Sequence, residues 1–374
     1  MADVAQQEQR APRTDQVERL RENILDFIIK YGMIVAIFGV MIYFSVETDT
    51  FLQSTNLLNI MRSSSILIIA SIGVTLSVAV GGFDVSIGSV ASLASMLTIA
   101  LMVIWEWSLA AAVGAALAAG AAIGVVNAFL VIKLKIPDLL ATLGMLYFAD
   151  GLHRVITKGE AAAVGMADPW AEDASTRTQG TIPDIFGELG AGQVFAGTVP
   201  DWMVTIFPEN FFFRGDIFQG LPYAVIFMLV IAVVFHIFLQ YTRWGRMMYA
   251  VGSNQEAARL SGIPVNRIRL MAYTMSGFLA AIAGIVLASR TERGAIAAGG
   301  DLLLDAVAAT FFGFAVLGAR RPNVFGTVVG ALFVGVLLNG LTKMGIADYY
   351  QDVIKGTVLI SSLALSFYLF RTKD

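Results

Sequence analysis

The sequence predicts an all-α, polytopic membrane protein with about ten transmembrane helices, each near 20 residues long. Of its 374 residues, 57% are hydrophobic and 14% are charged, against about 25% charged residues in a typical soluble protein. Apolar segments long enough to cross a bilayer recur along the chain. Because a helix satisfies its backbone hydrogen bonds internally, such segments predict helices rather than strands.

The chain opens on residues 1–25, a polar segment of mixed charge that we expect to form a cytoplasmic tail. We expect residues 26–374 to form a single transmembrane domain. Its spans are predicted near residues 27–46, 65–80, 87–105, 108–132, 136–155, 221–239, 270–287, 301–317, 325–341 and 353–370. An even number of spans places both termini on the same side of the membrane.

The distribution of lysine and arginine predicts which side that is. With the N-terminus inside, the basic residues concentrate in the cytoplasmic loops, above all in the arginine-rich segment 242–269. Since cytoplasmic loops carry an excess of positive charge, this distribution places both termini and segment 242–269 in the cytoplasm.

A very short helix is predicted within this cytoplasmic segment. Ser253 and Glu256 have the spacing of a capping box, in which each side chain accepts a hydrogen bond from the backbone of the other residue. Gly262 can adopt the left-handed conformation that ends a helix. The predicted helix therefore covers residues 254–261.

A helix this short needs a docking surface, because isolated helices below about 12–15 residues are marginal in water. Ala257, Ala258 and Gly262 give it one side almost without side chains, while Glu256 and Arg259 add charge around that side. This combination favours insertion into a groove of a partner protein. The alternative is a helix lying on lipid headgroups, which usually carries large apolar residues along one face.

The residues of this segment carry a resemblance to a known family. Glu256-Ala257-Ala258, three residues and then Gly262 resemble the Glu-Ala-Ala loop by which permeases of bacterial ATP-binding-cassette (ABC) importers couple to their ATPase subunits. Residues 251–290 are similar to the ribose, xylose and galactose permeases in particular. Further similarity to these permeases lies in the segment Gly81-Gly82-Phe83-Asp84-Val85-Ser86-Ile87-Gly88-Ser89 and in residues 136–145 and 304–309.

The resemblance implies the membrane-spanning subunit of an importer for a monosaccharide or polyol, working as a homodimer in the lipid bilayer. It further implies a soluble sugar-binding protein outside and ABC ATPase subunits inside, so that ATP is hydrolysed by the partner and this chain binds no cofactor. The residues implied in coupling to the ATPase are Ser253, Asn254, Glu256, Ala257, Ala258, Arg259 and Gly262.

The segment around Gly81, Gly82, Asp84 and Ser86 is the first candidate for the translocation path. It separates two short apolar spans, a pattern typical of a discontinuous helix that lines a transport path. A carboxylate at bilayer depth costs about 2.5–3.5 kcal/mol on insertion scales and therefore faces protein or water. The alternative is an ordinary cytoplasmic turn in which Asp84 or Ser86 caps the next helix.

Four further polar residues within spans are candidates for the path. Asn127, Thr142 and Asn339 would face the solute in this interpretation, although hydrogen bonding between helices explains them equally well. Asp305 lies at a position matched by the resemblance, but a carboxylate in a first helical turn also interacts favourably with the helix dipole.

Composition narrows the remaining function classes. The net charge of −3 gives no indication of nucleic-acid binding, and the absence of cysteine excludes thiolate metal sites. Neither a phosphate-binding loop nor a catalytic triad is evident, so we expect no enzyme. An ion-driven secondary transporter and a permease for branched-chain amino acids stay open as alternatives.

Residues 158–220, rich in proline and aromatic residues, are predicted to form an extracytoplasmic insert.

Overall fold

A computed structural model describes residues 31–173, 175–194, 220–315 and 321–371. The predicted tail 1–25 and residues 195–219 of the predicted insert lie outside this part of the chain. The helices are α1 (Tyr31–Glu47), α2 (Ser54–Ala79), α3 (Ile87–Val103), α4 (Leu109–Ile132), α5 (Asp138–Ile156), α6 (Asp184–Ala191), α7 (Tyr223–Tyr241), α8 (Arg243–Ser253), α9 (Gln255–Leu260), α10 (Val265–Thr291), α11 (Gly300–Ala315), α12 (Val324–Lys343) and α13 (Asp348–Arg371). Two strands, β1 (Gln193–Val194) and β2 (Leu221–Pro222), pair antiparallel.

Six of the described helices are long and apolar enough to span a membrane, namely α2, α4, α5, α7, α10 and α12. Helices α1 and α3 are apolar but shorter. The prediction of a helical, multi-pass membrane protein is therefore confirmed. The predicted count of about ten spans is larger than these six and stays a prediction.

Helix α10 lies at the centre of the bundle and packs against α2, α3 and α4. Its contact with α4 depends on glycine, since a Cβ atom at Gly124 would overlap the carbonyl oxygen of Tyr273, and one at Gly277 would overlap that of Gly120. In lipid, close approach of helix backbones takes the place of hydrophobic burial as the force for association. Small residues thus determine which helices meet in the core.

Helices α2 and α3 run in opposite directions along α10. Gly73 of α2 lies against Ser276, and the end of α2 meets Tyr273 through Gly82. On α3, by contrast, Ala91 lies against Gly284, nearer the end of α10. The chain therefore reverses at residues 80–86, so the alternative of a turn describes this segment better than a discontinuous helix does.

Helices α11 and α12 form a second antiparallel contact through glycine. Gly313 lies against Gly326, and Ala309 lies against Gly330. Helix α2 joins this pair through Thr75, whose hydroxyl lies 2.7 Å from that of Thr327. This register fixes the depth of each α11 residue relative to α12.

The described part of the insert is ordered against the end of the bundle opposite to α9. Ala162 and Gly294 exchange two backbone hydrogen bonds of 2.9 Å. The Trp170 indole donates a 3.0 Å hydrogen bond to the carbonyl of Ile156. Phe186 of α6 is buried in a small apolar cluster with residues of α3, α4 and α10. These contacts confirm order in the part of the insert that the structure describes.

Candidate coupling helix and polar network

The short predicted helix exists as α9, and Asn254 rather than Ser253 is its N-cap. Asn254 has an extended backbone, and its Oδ1 accepts a 3.0 Å hydrogen bond from the backbone N–H of Ala257. Ser253 instead completes helix α8. The predicted Ser253–Glu256 capping box is therefore wrong by one residue, because the preceding segment is itself helical up to Ser253.

The end of α9 is closed by Gly262, as predicted. Its φ is +80°, in the left-handed region. The N–H of Ile263 donates to the carbonyl of Ala258 and the N–H of Gly262 donates to that of Arg259, both at 3.0 Å. This pair of bonds is a Schellman motif, which satisfies the last carbonyls of a helix. Helix α9 thus ends at Leu260 with its terminal carbonyls partnered.

The exposed side of α9 differs from the one predicted. Ala258 is 4% exposed and packs into the main apolar core, whereas Ala257 faces solvent. Leu260 is 85% exposed, and nothing lies within 4 Å of a Cβ atom added at Gly262. The small residues predicted to form one side are therefore divided, since Ala258 anchors the helix while Ala257 and Gly262 stay open to a partner.

Helix α8 attaches α9 to the membrane-embedded part of the chain. A Cβ atom at Gly252 would overlap the carbonyl of Ala79, so α8 lies directly on the end of α2. Farther back, the Tyr249 hydroxyl donates a 2.7 Å hydrogen bond to the carbonyl of Pro322. Burial raises the pKa of Tyr249 to about 12, although the nearby guanidinium of Arg321 acts in the opposite direction. Tyr249 therefore keeps its proton as a donor at neutral pH.

Polar side chains on two successive turns of α10, near its start after α9, form a hydrogen-bond network inside the bundle. The Arg269 guanidinium forms an ion pair with Asp138 at the start of α5. The Tyr273 hydroxyl donates a 2.6 Å hydrogen bond to the same carboxylate. One turn farther, the Ser276 hydroxyl donates a 2.8 Å hydrogen bond to Oδ2 of Asp84. These three donors on α10 connect the segment after α9 to α5 and to the turn at residues 80–86.

Asp84 is fully buried and bound on both carboxylate oxygens. Its Oδ1 accepts hydrogen bonds from the Ser86 hydroxyl at 2.6 Å and from the Ser86 backbone N–H at 3.0 Å. The Asn127 amide nitrogen donates to the Ser86 hydroxyl at 2.9 Å, and Thr142 accepts from the backbone N–H of Val85 at 3.2 Å. A carboxylate with this many partners fixes the conformation of the turn.

Comparison with known proteins places the chain in a family. Residues 56–363 match the family model described as the permease component of branched-chain amino acid transport systems. The chain belongs to this permease family. Because the match extends over six of the described apolar helices, this permease is a multi-pass membrane protein.

Several curated proteins are similar to the permease along most of their length. The ribose import permease of Escherichia coli strain K12 is 32% identical over 334 residues, which cover 89% of this chain and 92% of the relative. That of Bacillus subtilis is 31% identical and covers 94% and 96%. The xylose transport permease of Haemophilus influenzae is 30% identical and covers 88% and 94%. No solved structure matches the chain.

The candidate path residues of the permease separate into three places. Gly81, Gly82, Asp84, Ser86, Asn127 and Thr142 meet at the buried turn, apart from Gly81, which is exposed beside Gly252. Asp305 lies in a different place, paired with Lys355 at 3.6 Å. Asn339 lies elsewhere again and exchanges two amide hydrogen bonds of 2.8 and 3.0 Å with Asn56, so it joins α12 to α2.

Sequence reasoning missed Asp138, Arg269 and Tyr273 as members of the network. The carboxylate of Asp138 and the guanidinium of Arg269 are 131 residues apart in sequence. One signal in the sequence pointed to Asp138, which is the charged residue within the family-like segment 136–145.

Among the described residues, no group of three histidine, aspartate or glutamate side chains is placed to bind a metal ion.

Proposed function

We propose that this permease is the membrane-spanning subunit of an ABC importer that moves a monosaccharide or polyol across the bacterial cytoplasmic membrane. The ribose and xylose permeases among its relatives support this substrate class over branched-chain amino acids. Together with the family match they also support a transport-system permease over an ion-driven transporter. ATP would be hydrolysed by separate ATPase subunits, and this chain would bind no cofactor and catalyse no reaction.

Helix α9 is the observation that carries the proposal. It is six residues long, closed at both ends and exposed on the side of Glu256, Ala257, Arg259 and Gly262. A cavity of about 350 Å³ lies beside it and is lined by Arg259, Ile263, Pro264, Val265, Asn266 and Arg267. A short rigid helix next to a groove is suited to docking on an ATPase subunit, with Ser253 and Asn254 at the junction with α8.

Movement of α9 would reach the path through the network on α10. When the ATPase subunits close on ATP, α9 would move as a rigid unit with α8 and the start of α10. The bonds from Arg269, Tyr273 and Ser276 would transmit this movement to Asp138 and Asp84. The path would thereby shift between two packed states, one open to each side.

The remaining architecture follows from the charge distribution. Residues 1–25 form a cytoplasmic tail, residues 26–374 form the transmembrane domain, and segment 242–269 is the coupling loop inside the cell. About ten spans would then place both termini in the cytoplasm and insert 158–220 outside. There the insert would meet a soluble sugar-binding protein, and a second copy of the chain would complete the transporter. Nucleic acid is not among the proposed partners.

The substitution Gly262→Arg tests the coupling function. Arginine would strain the left-handed backbone and add a large charge on the open side of α9, so the ATPase subunit should no longer dock. We expect co-purification of the ATPase to be lost and sugar uptake in reconstituted vesicles to fall at least about tenfold, equivalent to 1.4 kcal/mol of docking energy.

Gly345→Arg is the matched control for this test. Gly345 also has positive φ, +72°, and also has nothing within 4 Å of an added Cβ atom, but it lies at the opposite end of α12 from the α8 contact at Pro322. The control should retain the ATPase. Equal ATPase binding by wild type and Gly262→Arg would refute the coupling assignment.

A further inference from the structure

Helices α4 and α10 form an open groove at the end of the bundle that carries α9. The groove has a volume of about 320 Å³, within the range of about 300–1,000 Å³ that is typical of small-molecule sites. Its lining includes Val125 and Phe129 of α4, Lys133 directly after α4, and Asn266, Arg267 and Leu270 of α10. The groove therefore combines apolar and basic side chains in one cavity.

The apolar part of the groove lies inside the membrane layer. From Val125 to Lys133 the chain rises about 12 Å, at 1.5 Å per residue, which is a little less than half of a hydrocarbon core of about 30 Å. Val125, Phe129 and Leu270 belong to helices that are long and apolar enough to span a membrane. They are nevertheless 44%, 53% and 40% exposed. The groove thus opens toward lipid over the depth of about one leaflet.

Two cationic side chains stand at the polar end of the groove. Lys133 follows the last residue of α4, and Arg267 lies in the first turn of α10. Both are exposed, and within the described ranges neither side chain forms a hydrogen bond or an ion pair. Arg269, in contrast, is paired with Asp138. Since no carboxylate is among the described residues that line the groove, its two positive charges are available to an anionic ligand.

An apolar groove of one-leaflet depth with two cations at its polar end matches the chemistry of an anionic phospholipid. We propose that the groove between α4 and α10 binds one such lipid, of the phosphatidylglycerol type. The guanidinium of Arg267 binds two phosphate oxygens, and the ammonium of Lys133 adds a second charge-assisted hydrogen bond. An acyl chain covers Val125, Phe129 and Leu270. In the proposed orientation the lipid belongs to the cytoplasmic leaflet, where anionic headgroups attract basic residues at the ends of spans.

The lipid site adjoins the cavity beside α9 that is proposed to receive the ATPase subunit. Asn266 and Arg267 line both cavities, whereas Val125 and Phe129 line the groove but not the cavity beside α9. These two residues lie about one and two turns inside the end of a spanning helix, beyond the reach of a soluble subunit. The lipid is therefore a ligand distinct from the ATPase, and its site does not depend on the transported solute.

Removal of the two charges tests recognition of the headgroup. The purified chain is titrated in detergent with dioleoylphosphatidylglycerol or dioleoylphosphatidylcholine, and bound lipid is counted by native mass spectrometry. The natural chain should prefer phosphatidylglycerol about 25-fold, because each basic residue near an anionic headgroup contributes about fivefold. Lys133→Gln/Arg267→Gln should bind the two lipids equally.

Arg293→Gln/Lys343→Gln is the matched control for this loss of charge. It also removes one arginine and one lysine that are exposed, but at the opposite end of the bundle, just beyond α10 and at the end of α12. The control should keep the preference for phosphatidylglycerol. A preference that survives in Lys133→Gln/Arg267→Gln, or one that is lost equally in both double variants, would overturn the headgroup site.

Filling the groove tests the part that receives the acyl chain. Val125→Trp should lower phosphatidylglycerol binding at least about tenfold, which corresponds to the loss of about two buried methylene groups. Val126→Trp is the control, because Val126 is the next residue of α4 and is 40% exposed, but does not line the groove. Unchanged binding by Val125→Trp would mean that the two cations bind phosphate without an acyl chain, and would overturn the phospholipid assignment.

Photolabelling of the natural chain in membranes depends on no variant. Phosphatidylglycerol that carries a diazirine in its acyl chain should label residues 125–133 and 266–270 at least about fivefold more strongly than the corresponding phosphatidylcholine. Equal labelling by the two lipids would overturn the preference for an anionic headgroup. A lack of lipid labelling at these residues would leave the groove to the ATPase subunit and would overturn the lipid site.

Discussion

At the scale of single residues, the start of α9 depends on one side chain. Asn254 leaves the helical backbone after α8 and then caps α9 with its own amide oxygen. Because α9 has only six residues, the backbone N–H group bound by Asn254 is a large share of its free donors. The position of the coupling surface is thus sensitive to this amide.

Asn254→Ala should weaken docking of the ATPase. Replacing an N-cap asparagine by alanine costs about 1 kcal/mol of helix stability. Because α9 must be folded in order to dock, this cost corresponds to roughly fivefold weaker binding of the ATPase subunit. Ser253→Ala is the paired control, because Ser253 ends α8 and should leave the affinity unchanged. Titration with the purified ATPase subunit measures the binding affinity of each variant. If Ser253→Ala weakened binding and Asn254→Ala did not, Ser253 would be the N-cap after all.

The cap also shows where the sequence stops being informative. Ser253 and Asn254 are both favourable N-cap residues, and their order of preference is too close to decide between them. What decides is that α8 continues to Ser253 because Gly252 packs on the end of α2. Gly262 was predictable because only glycine adopts positive φ without strain. Which residue caps α9, in contrast, depends on the tertiary contact between α8 and α2, which the sequence does not reveal.

At the scale of elements, α10 is the helix through which the coupling surface and the buried turn are connected. The Arg269–Asp138 ion pair is half-buried, with side-chain exposures of 11% and 24%. Removing one partner of such a pair leaves the other without compensation. The structure therefore predicts that this pair matters for the coupling of movement more than for the docking of the ATPase.

Arg269→Met should reduce the number of sugar molecules imported per ATP hydrolysed. The ATPase should still dock on α9, while α10 would hold Asp138 of α5 through the Tyr273 hydroxyl alone during the movement. Arg293→Met is the control, because Arg293 is exposed just beyond the opposite end of α10, away from the groove beside α9. Parallel measurements of ATP hydrolysis and sugar uptake in vesicles give the ratio. An unchanged ratio in Arg269→Met would remove the ion pair from the coupling route.

The boundaries of elements were less predictable than their existence. Apolar windows placed the second span at 65–80 and the seventh at 270–287, whereas α2 begins at Ser54 and α10 extends from Val265 to Thr291. Both helices continue through polar turns that a hydrophobicity window does not detect. The Arg269–Asp138 and Lys355–Asp305 ion pairs could not be predicted from the sequence either, because no sequence periodicity connects residues from helices far apart in the chain.

At the scale of the whole molecule, the polar elements lie at two opposite ends of the bundle. Helices α8 and α9 lie at the end of α2, while the insert packs at the far end of α10, where Gly190 meets Arg290. An apolar layer of spanning helices separates the two ends. The functional assignment requires that the α9 end lies in the cytoplasm, where ATP is available.

Single cysteines in the cysteine-free chain test this orientation. Ser261 beside α9 and Lys158 in the insert are both exposed, and they lie at the two opposite ends of the bundle. In intact cells whose outer face is accessible, a membrane-impermeant maleimide should label Lys158→Cys and should leave Ser261→Cys unlabelled until the membrane is opened. The reason is that the arginine-rich segment 242–269 belongs inside by the positive-inside rule. Labelling of Ser261→Cys in intact cells would place α9 outside, where no ATP-driven subunit could reach it, and the whole coupling mechanism would have to be abandoned.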